Sequence, residues 1–167
     1  MLASLHRGER WGNSRIVEGA RGFTVVELVI VLAIAGIIVA ISVPALQQYI
    51  ERSRRVQAIL DLKEMSTKIR DIDKTTGALP NSLADAGFAG RTDPWGRSYE
   101  YFNLRAATGN GQARKDKKLA PLNSDFDLYS VGPDGLTQAS LGHASSRDDI
   151  VRARDGGFIG TAEEFDP

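Results

Sequence analysis

The chain of 167 residues contains no cysteine. That absence excludes a disulfide framework, a thiolate zinc site and a cysteine nucleophile at once. Histidine is nearly as scarce: His6 and His143 are the two, and neither has the sequence partners of a metal cluster or a nucleophilic triad. Net charge is missing as well. The 21 basic and 21 acidic side chains cancel, so bulk electrostatics point to no polyanionic partner. The run Arg114-Lys115-Asp116-Lys117-Lys118 is short and lacks interleaved aromatics, and reads as a solvated loop rather than a nucleic-acid contact. Gly109 and Gly111 lack the third glycine and the strand–helix setting of a dinucleotide loop. The length suits one domain with an appendage.

What the chain has in excess is apolar sequence near its start. No charged residue occurs from Leu28 to Ile50, and Leu28 to Ile41 is apolar throughout apart from Gly36. A helix needs roughly 20 apolar residues to cross a bilayer core of about 30 Å, so residues 23–46 are predicted to span a membrane. A soluble domain this small offers too little protein to surround a helix that is apolar on every face. A secretory signal peptide fits poorly, because the run is long and gives way to a charged helix instead of a small-x-small cleavage site.

Two residues in the span are unusual. Glu27 places a carboxylate near its start, which requires a partner. Pro44 lies near its end, where it removes a helical hydrogen bond and bends or locally loosens the helix. Arginines flank both sides: Arg7, Arg10, Arg15 and Arg21 before the span, and Arg52, Arg54 and Arg55 after it. Loop charge therefore does not orient the segment.

Gly22-Phe23-Thr24-Val25-Val26-Glu27-Leu28, followed by that apolar run, resembles the prepilin peptidase site of type IV pilins and type II secretion pseudopilins. The resemblance implies cleavage between Gly22 and Phe23 on the cytoplasmic side and N-methylation of Phe23. Residues 1–22 are then a leader. It also implies that Glu27 guides assembly, its carboxylate approached by the new Phe23 amine of a neighbouring subunit or of its own chain, and that Pro44 is the helix-bending proline.

Beyond Pro44 the pattern turns amphipathic. Leu46, Tyr49, Ile50, Val56, Ile59, Leu60, Met65, Ile69 and Ile72 recur at three- and four-residue steps with charges between them, Asp61 included. This predicts a helix over 47–76 whose apolar stripe packs on its own domain, ended by Gly77 as C-terminal cap and by Pro80. Residues 77–167 are the head. Pro80 to Leu83 is expected to turn into a short helix capped by Asn81 or Ser82, and Asp93-Pro94-Trp95-Gly96 to make a tight turn with Trp95 as a core anchor. Strands are expected at Ser98–Phe102, at a half-buried Phe126–Val131, and near Ile150–Val151 and Phe158–Ile159. Residues 104–124 read as an exposed loop. The fold class is α+β: a long N-terminal helix, half transmembrane and half amphipathic, on a small antiparallel sheet with long loops.

The head carries a narrower resemblance. Asp93-Pro94-Trp95-Gly96 with Tyr99 and Tyr101, the stretch Asp127 to Gly135, and Asp148-Asp149-Ile150 are similar to the major pseudopilin of type II secretion. That resemblance implies a calcium ion held by the side chains of Asp134, Asp148 and Asp149 and the backbone carbonyl of Val131. Calcium takes about six to eight oxygen ligands. The chain departs from the pattern in the longer loop Leu136–Arg147, in the 104–124 insertion and in the tail Arg152–Pro167.

The function implied is structural and non-enzymatic. The subunit would sit in the inner membrane, leader in the cytoplasm and head in the periplasm. It would polymerise through its N-terminal helix into a periplasmic type II secretion pseudopilus that drives protein export across the outer membrane. Its partners would be prepilin peptidase, copies of itself, minor pseudopilins and an inner-membrane assembly platform. A type IV pilus subunit serving adhesion, motility or DNA uptake is the alternative. A membrane-anchored calcium module or enzyme that never polymerises is a third reading, and it leaves the Gly22/Phe23/Glu27 register unused.

Overall fold

The computed structural model describes residues 22–107, 109 and 111–165. The expected leader lies outside the described residues except for Gly22, as do Thr108 and Asn110 of the expected loop and the last two residues of the tail. The chain divides into two units at Val43 and Pro44.

One helix, α1 (Val25–Thr76), begins in the first unit and continues through Pro44 into the second. Its first half is rich in valine and isoleucine, which lose side-chain freedom in a helix and favour strands in water. Inside hydrocarbon the balance changes, because every backbone N–H and C=O must be paired within the segment. Every residue from Gly22 to Ile50 is exposed, and the helix is long and apolar enough to cross a membrane. The helix ends where expected: Gly77 adopts φ +76° and its N–H donates to the Asp73 carbonyl at 2.8 Å.

The second unit contains a four-stranded antiparallel sheet in the order β1-β2-β3-β4. The strands are β1 (Glu100–Asn103), β2 (Phe126–Ser130), β3 (Ile150–Ala153) and β4 (Phe158–Thr161). Tyr101 faces Leu128, Tyr129 faces Val151, and Arg152 faces Ile159 in the registers. The architecture is therefore the expected α+β arrangement of one long helix on an antiparallel sheet. Strand β1 starts later than predicted, because Ser98 instead bridges Thr92 and closes the Asp93–Gly96 turn.

Two cores flank the sheet. On the helix side, Ala58, Leu62, Met65 and Ile69 pack with Tyr99, Phe126, Leu128 and Ile150, and Trp95 lies partly buried against them. On the other side, Leu122, Leu141, Val151, Ala153 and Ala162 form a separate cluster. The alternation of side chains along a strand sends Phe126 and Leu128 to one core and Tyr129 to the other.

Four expectations are corrected here. The core-facing stripe of α1 starts only at Ala58; Leu46, Tyr49, Ile50, Val56 and Leu60 are exposed, because the apolar spacing in this stretch runs along a second face. Asp61, expected among the solvated charges, is buried. Residues 81–87 make turns rather than a helix, with Ser82 Oγ accepting from the Asp85 N–H at 3.3 Å. Finally, the segment 104–124, expected as an exposed loop, is buried in part, although most of its described residues are exposed or half-buried. Ala113, Arg114, Leu122 and Asn123 are buried, and the Lys115 and Leu141 N–H groups tie the segment to the loop after β2 through the Ala139 and Lys115 carbonyls. Strand β2 is in consequence buried on both faces, Asp127 included.

Candidate functional site

The N-terminal segment holds the residues expected to govern processing and assembly. Phe23 is 86% exposed and stands two residues before α1. Thr24 and Glu27 close a reciprocal pair across the helix start. The Thr24 N–H and hydroxyl each donate to Oε2 of Glu27 at 2.8 Å, while the Glu27 N–H donates to Thr24 Oγ1 at 3.2 Å. This capping box satisfies backbone donors that have no partner inside the helix. It gives Glu27 a local partner that the sequence reading missed, although Thr-x-x-Glu ahead of an apolar run was the visible signal. Ser42 Oγ donates to the Ile38 carbonyl at 2.7 Å, two residues before Pro44, which supplies no N–H.

The second candidate is the C-terminal loop. At its start Gly132 adopts φ +67°, and a Cβ there would lie 2.5 Å from the Asp148 carbonyl oxygen, so the turn passes directly against the Asp148-Asp149 pair. The Asp134 N–H donates to Asp148 Oδ2 at 3.2 Å, and Asp134 Oδ1 accepts from the Leu136 N–H at 2.8 Å. Asp134 and Asp148 are thus brought together. Asp149 goes elsewhere: it is fully buried, and its Oδ2 accepts from Arg114 Nη2 and, at 2.6 Å, from the Thr137 hydroxyl. Arg97 donates to the Gly132 and Pro133 carbonyls at 2.8 and 3.3 Å. Burial pushes the Asp149 carboxyl above its ordinary value, with Thr137 and the Arg114 charge pulling the other way.

This arrangement does not suit calcium. Among the described residues, no group of three or more His, Cys, Asp or Glu side chains is placed to hold a metal ion. Oδ1 of Asp149 is a buried acceptor without a hydrogen-bond partner, yet the same carboxylate already carries a guanidinium. A divalent ion on the second oxygen would have to share this carboxylate with a like charge.

Comparison with known proteins decides between the membrane-module and filament readings. Residues 19–43 match the prokaryotic N-terminal methylation motif. Over 141 residues the chain is 34% identical to the type IV major pilin protein PilE of Neisseria gonorrhoeae, covering 80% of this chain and 82% of that protein. The chain belongs to the type IV pilin family. The fimbrial protein of Neisseria meningitidis serogroup A is 28% identical over 140 residues, 81% of this chain and 80% of that one. Fimbrial protein Q of Moraxella bovis is 29% identical over 135 residues, 79% and 75%. No solved structure matches the chain. Type IV pilins are membrane-anchored structural subunits, processed by prepilin peptidase and assembled into filaments, and are not enzymes.

The pilin head is fastened by two further polar clusters. Asp61 accepts from the Tyr99 hydroxyl and Arg91 Nη2, both at 2.7 Å, and from Gln57 Nε2 at 2.9 Å. Arg152 is fully buried. It pairs with both Asp125 oxygens at 2.7 Å, donates through Nε to Ser66 Oγ at 2.9 Å, and lies 3.9 Å from the Phe126 ring centroid. It therefore joins α1, β2 and β3. A lone arginine in a tail gave no sequence signal for this role, since its partners lie 27 and 86 residues away.

Proposed function

We propose that this chain is the structural subunit of a type IV pilus, cut between Gly22 and Phe23, methylated on the new Phe23 amine, and polymerised through α1. The similarity to fimbrial and major pilin proteins over four fifths of both chains carries this reading. Residues 1–22 are removed as the leader, the apolar half of α1 holds the subunit in the inner membrane before assembly, and the head faces the periplasm. In the filament, Glu27 exchanges part of its Thr24 pairing for the Phe23 amine of a neighbour, so that each carboxylate finds a charge partner on docking. Pro44 is the point where the helix yields.

A second reading rests on features of the head sequence. The turns Asp93–Gly96 and Gly132–Gly135 and the absence of cysteine support a type II secretion pseudopilus working with minor pseudopilins and an assembly platform. Deleting the gene and measuring both sheared surface filaments and the culture-supernatant proteome separates the two. Loss of filaments with unchanged export supports the pilus; retained filaments with folded exoproteins trapped in the periplasm support the pseudopilus. Intact mass of the mature subunit tests the cut directly, since any N-terminus other than N-methyl-Phe23 overturns it.

A further inference from the structure

Two arginines from outside the loop between β2 and β3 reach into it. Arg97 reaches it from below the Gly132–Gly135 turn, where a Cβ on Gly135 would lie 2.5 Å from the Arg97 side chain. Arg114 reaches it from the segment preceding β2. Arg114 is 3% exposed; its guanidinium stacks 4.1 Å from the Tyr129 ring centroid and donates to both Asp149 Oδ2 and Thr137 Oγ1. The backbone holds it in place: the Arg114 N–H donates to Asp127 Oδ2 at 2.7 Å, and the Leu122 N–H donates to the Arg114 carbonyl at 2.8 Å. The two acids that face it, Asp127 and Asp149, come from adjacent strand regions of the sheet.

We propose that Arg114 is the tethered cation of this loop, taking up Asp149, one of the carboxylates that the resemblance assigns to calcium, so that the head folds and keeps its loop closed without metal. The reasoning is electrostatic and geometric. A carboxylate as buried as Asp149 needs a positive partner, and the insertion that departs from the pseudopilin pattern is the segment that delivers one. A guanidinium is charged at every accessible pH and arrives on the chain itself, so its effective concentration does not depend on the medium. Once Arg114 occupies Oδ2, a divalent ion has lost half of its deepest ligand and faces a like charge. The inference concerns the head alone and holds for a surface pilus and for a pseudopilus.

The test uses the full chain in detergent. Wild-type melting is followed by tryptophan fluorescence in calcium and in chelator, and calcium binding is measured by titration calorimetry. The expected result is the same midpoint in both media and no binding heat. A midpoint that rises saturably with calcium overturns the proposal. In parallel, Arg114→Met, Asp149→Asn and the double variant are melted in chelator. Arg114→Met is expected to lower the midpoint by about 5 °C or more, and the double variant to lose clearly less than the two single losses added together. Additive losses would show that the two side chains do not act as a pair, and would sink the idea. If Arg114→Met does not fold, the wild-type calcium titration still decides.

Discussion

On the helix side of the sheet, burial pushes Asp61 and Asp125 upward, but their hydrogen-bond donors outweigh it and leave both carboxyls below the ordinary value. The donors are Tyr99, Arg91 and Gln57 for Asp61, and Arg152 with the Phe126 N–H for Asp125. On the insertion side, burial wins. Asp127 and Asp149 are held above the ordinary value despite donors from Arg114, Asn123 and Thr137. The two faces belong to one sheet and carry the same chemistry of aspartate against arginine. Asp127 has a donor on each oxygen, but both are uncharged groups, the Arg114 N–H and the Asn123 amide. Asp149 differs from Asp125 in how completely it is served. Arg152 grips both oxygens of Asp125, whereas Arg114 takes one oxygen of Asp149 and leaves the other, and its own Nε, without a partner. A two-point pair offsets its desolvation far better than a one-point pair. The helix side is therefore the rigid frame, and the insertion side is a cover fitted onto it.

Breaking the frame at its bolt gives the largest expected effect. Arg152→Met leaves Asp125 and Ser66 without their donor in a buried setting and should cost about 3–5 kcal/mol. Denaturant unfolding of the purified chain measures it, and a loss under about 1 kcal/mol would mean that the pair does not join α1 to the sheet. Next come matched truncations of the two cores. Leu62→Ala and Leu122→Ala should each cost about 2–5 kcal/mol, but they should differ in reach. Hydrogen exchange should accelerate throughout the head for Leu62→Ala, and only over residues 112–124 and the loop they touch for Leu122→Ala. Equal spread from both variants would erase the distinction between frame and cover.

The same distinction decides what the sequence disclosed. The apolar part of the helix side was legible because it follows local rules: apolar residues three and four apart on α1, a glycine cap at Gly77, and alternation in β2. Its Asp61 and Arg152 clusters, built from remote partners, were not. The insertion side was not, because a polar, glycine-containing stretch looks the same whether it waves in solvent or lies on a sheet. Arg114 within a run of lysines read as solvated, and only the fold brings it to Asp149, 35 residues away. Asp127 misled for a related reason. Alternation of polar and apolar residues predicts one wet face, and nothing local says that a remote segment will cover it. At the N-terminus the reverse happened. The Gly22-Phe23-Glu27 register was read through its family resemblance, and the nearer physical fact, the Thr24–Glu27 capping box, went unnoticed.

Acid should pull the two faces in opposite directions. Asp61 and Asp125 have depressed folded values, so their contribution is present above the unfolded value of about 4 and disappears as pH falls through the folded one. Asp127 and Asp149 have raised folded values. Their contribution is greatest below the unfolded value and is lost as pH rises through the folded one. Between neutrality and about pH 4 the cover should therefore tighten while the frame stays constant, and below that the frame should loosen. Exchange protection followed residue by residue through an acid series reads both. Joint loss from neutrality downward would contradict the assignment of depressed carboxyls to one face and raised carboxyls to the other.

The smallest effect comes from the surface tie between frame and cover. Arg105, at the start of the insertion, contacts both oxygens of Asp73 near the end of α1, at 2.8 and 3.0 Å. The geometry is good, but the arginine side chain is 53% exposed, so water and salt screen the pair. Arg105→Ala should cost under about 1 kcal/mol and lose even that at high salt. If the cover is held by Leu122, Arg114 and the backbone bonds of Lys115 and Leu141, exchange over residues 112–124 should not change in this variant. A marked loss of protection there would place the hold of the cover at its exposed edge, and the buried Arg114–Asp149 pair would become a consequence of closure instead of its cause.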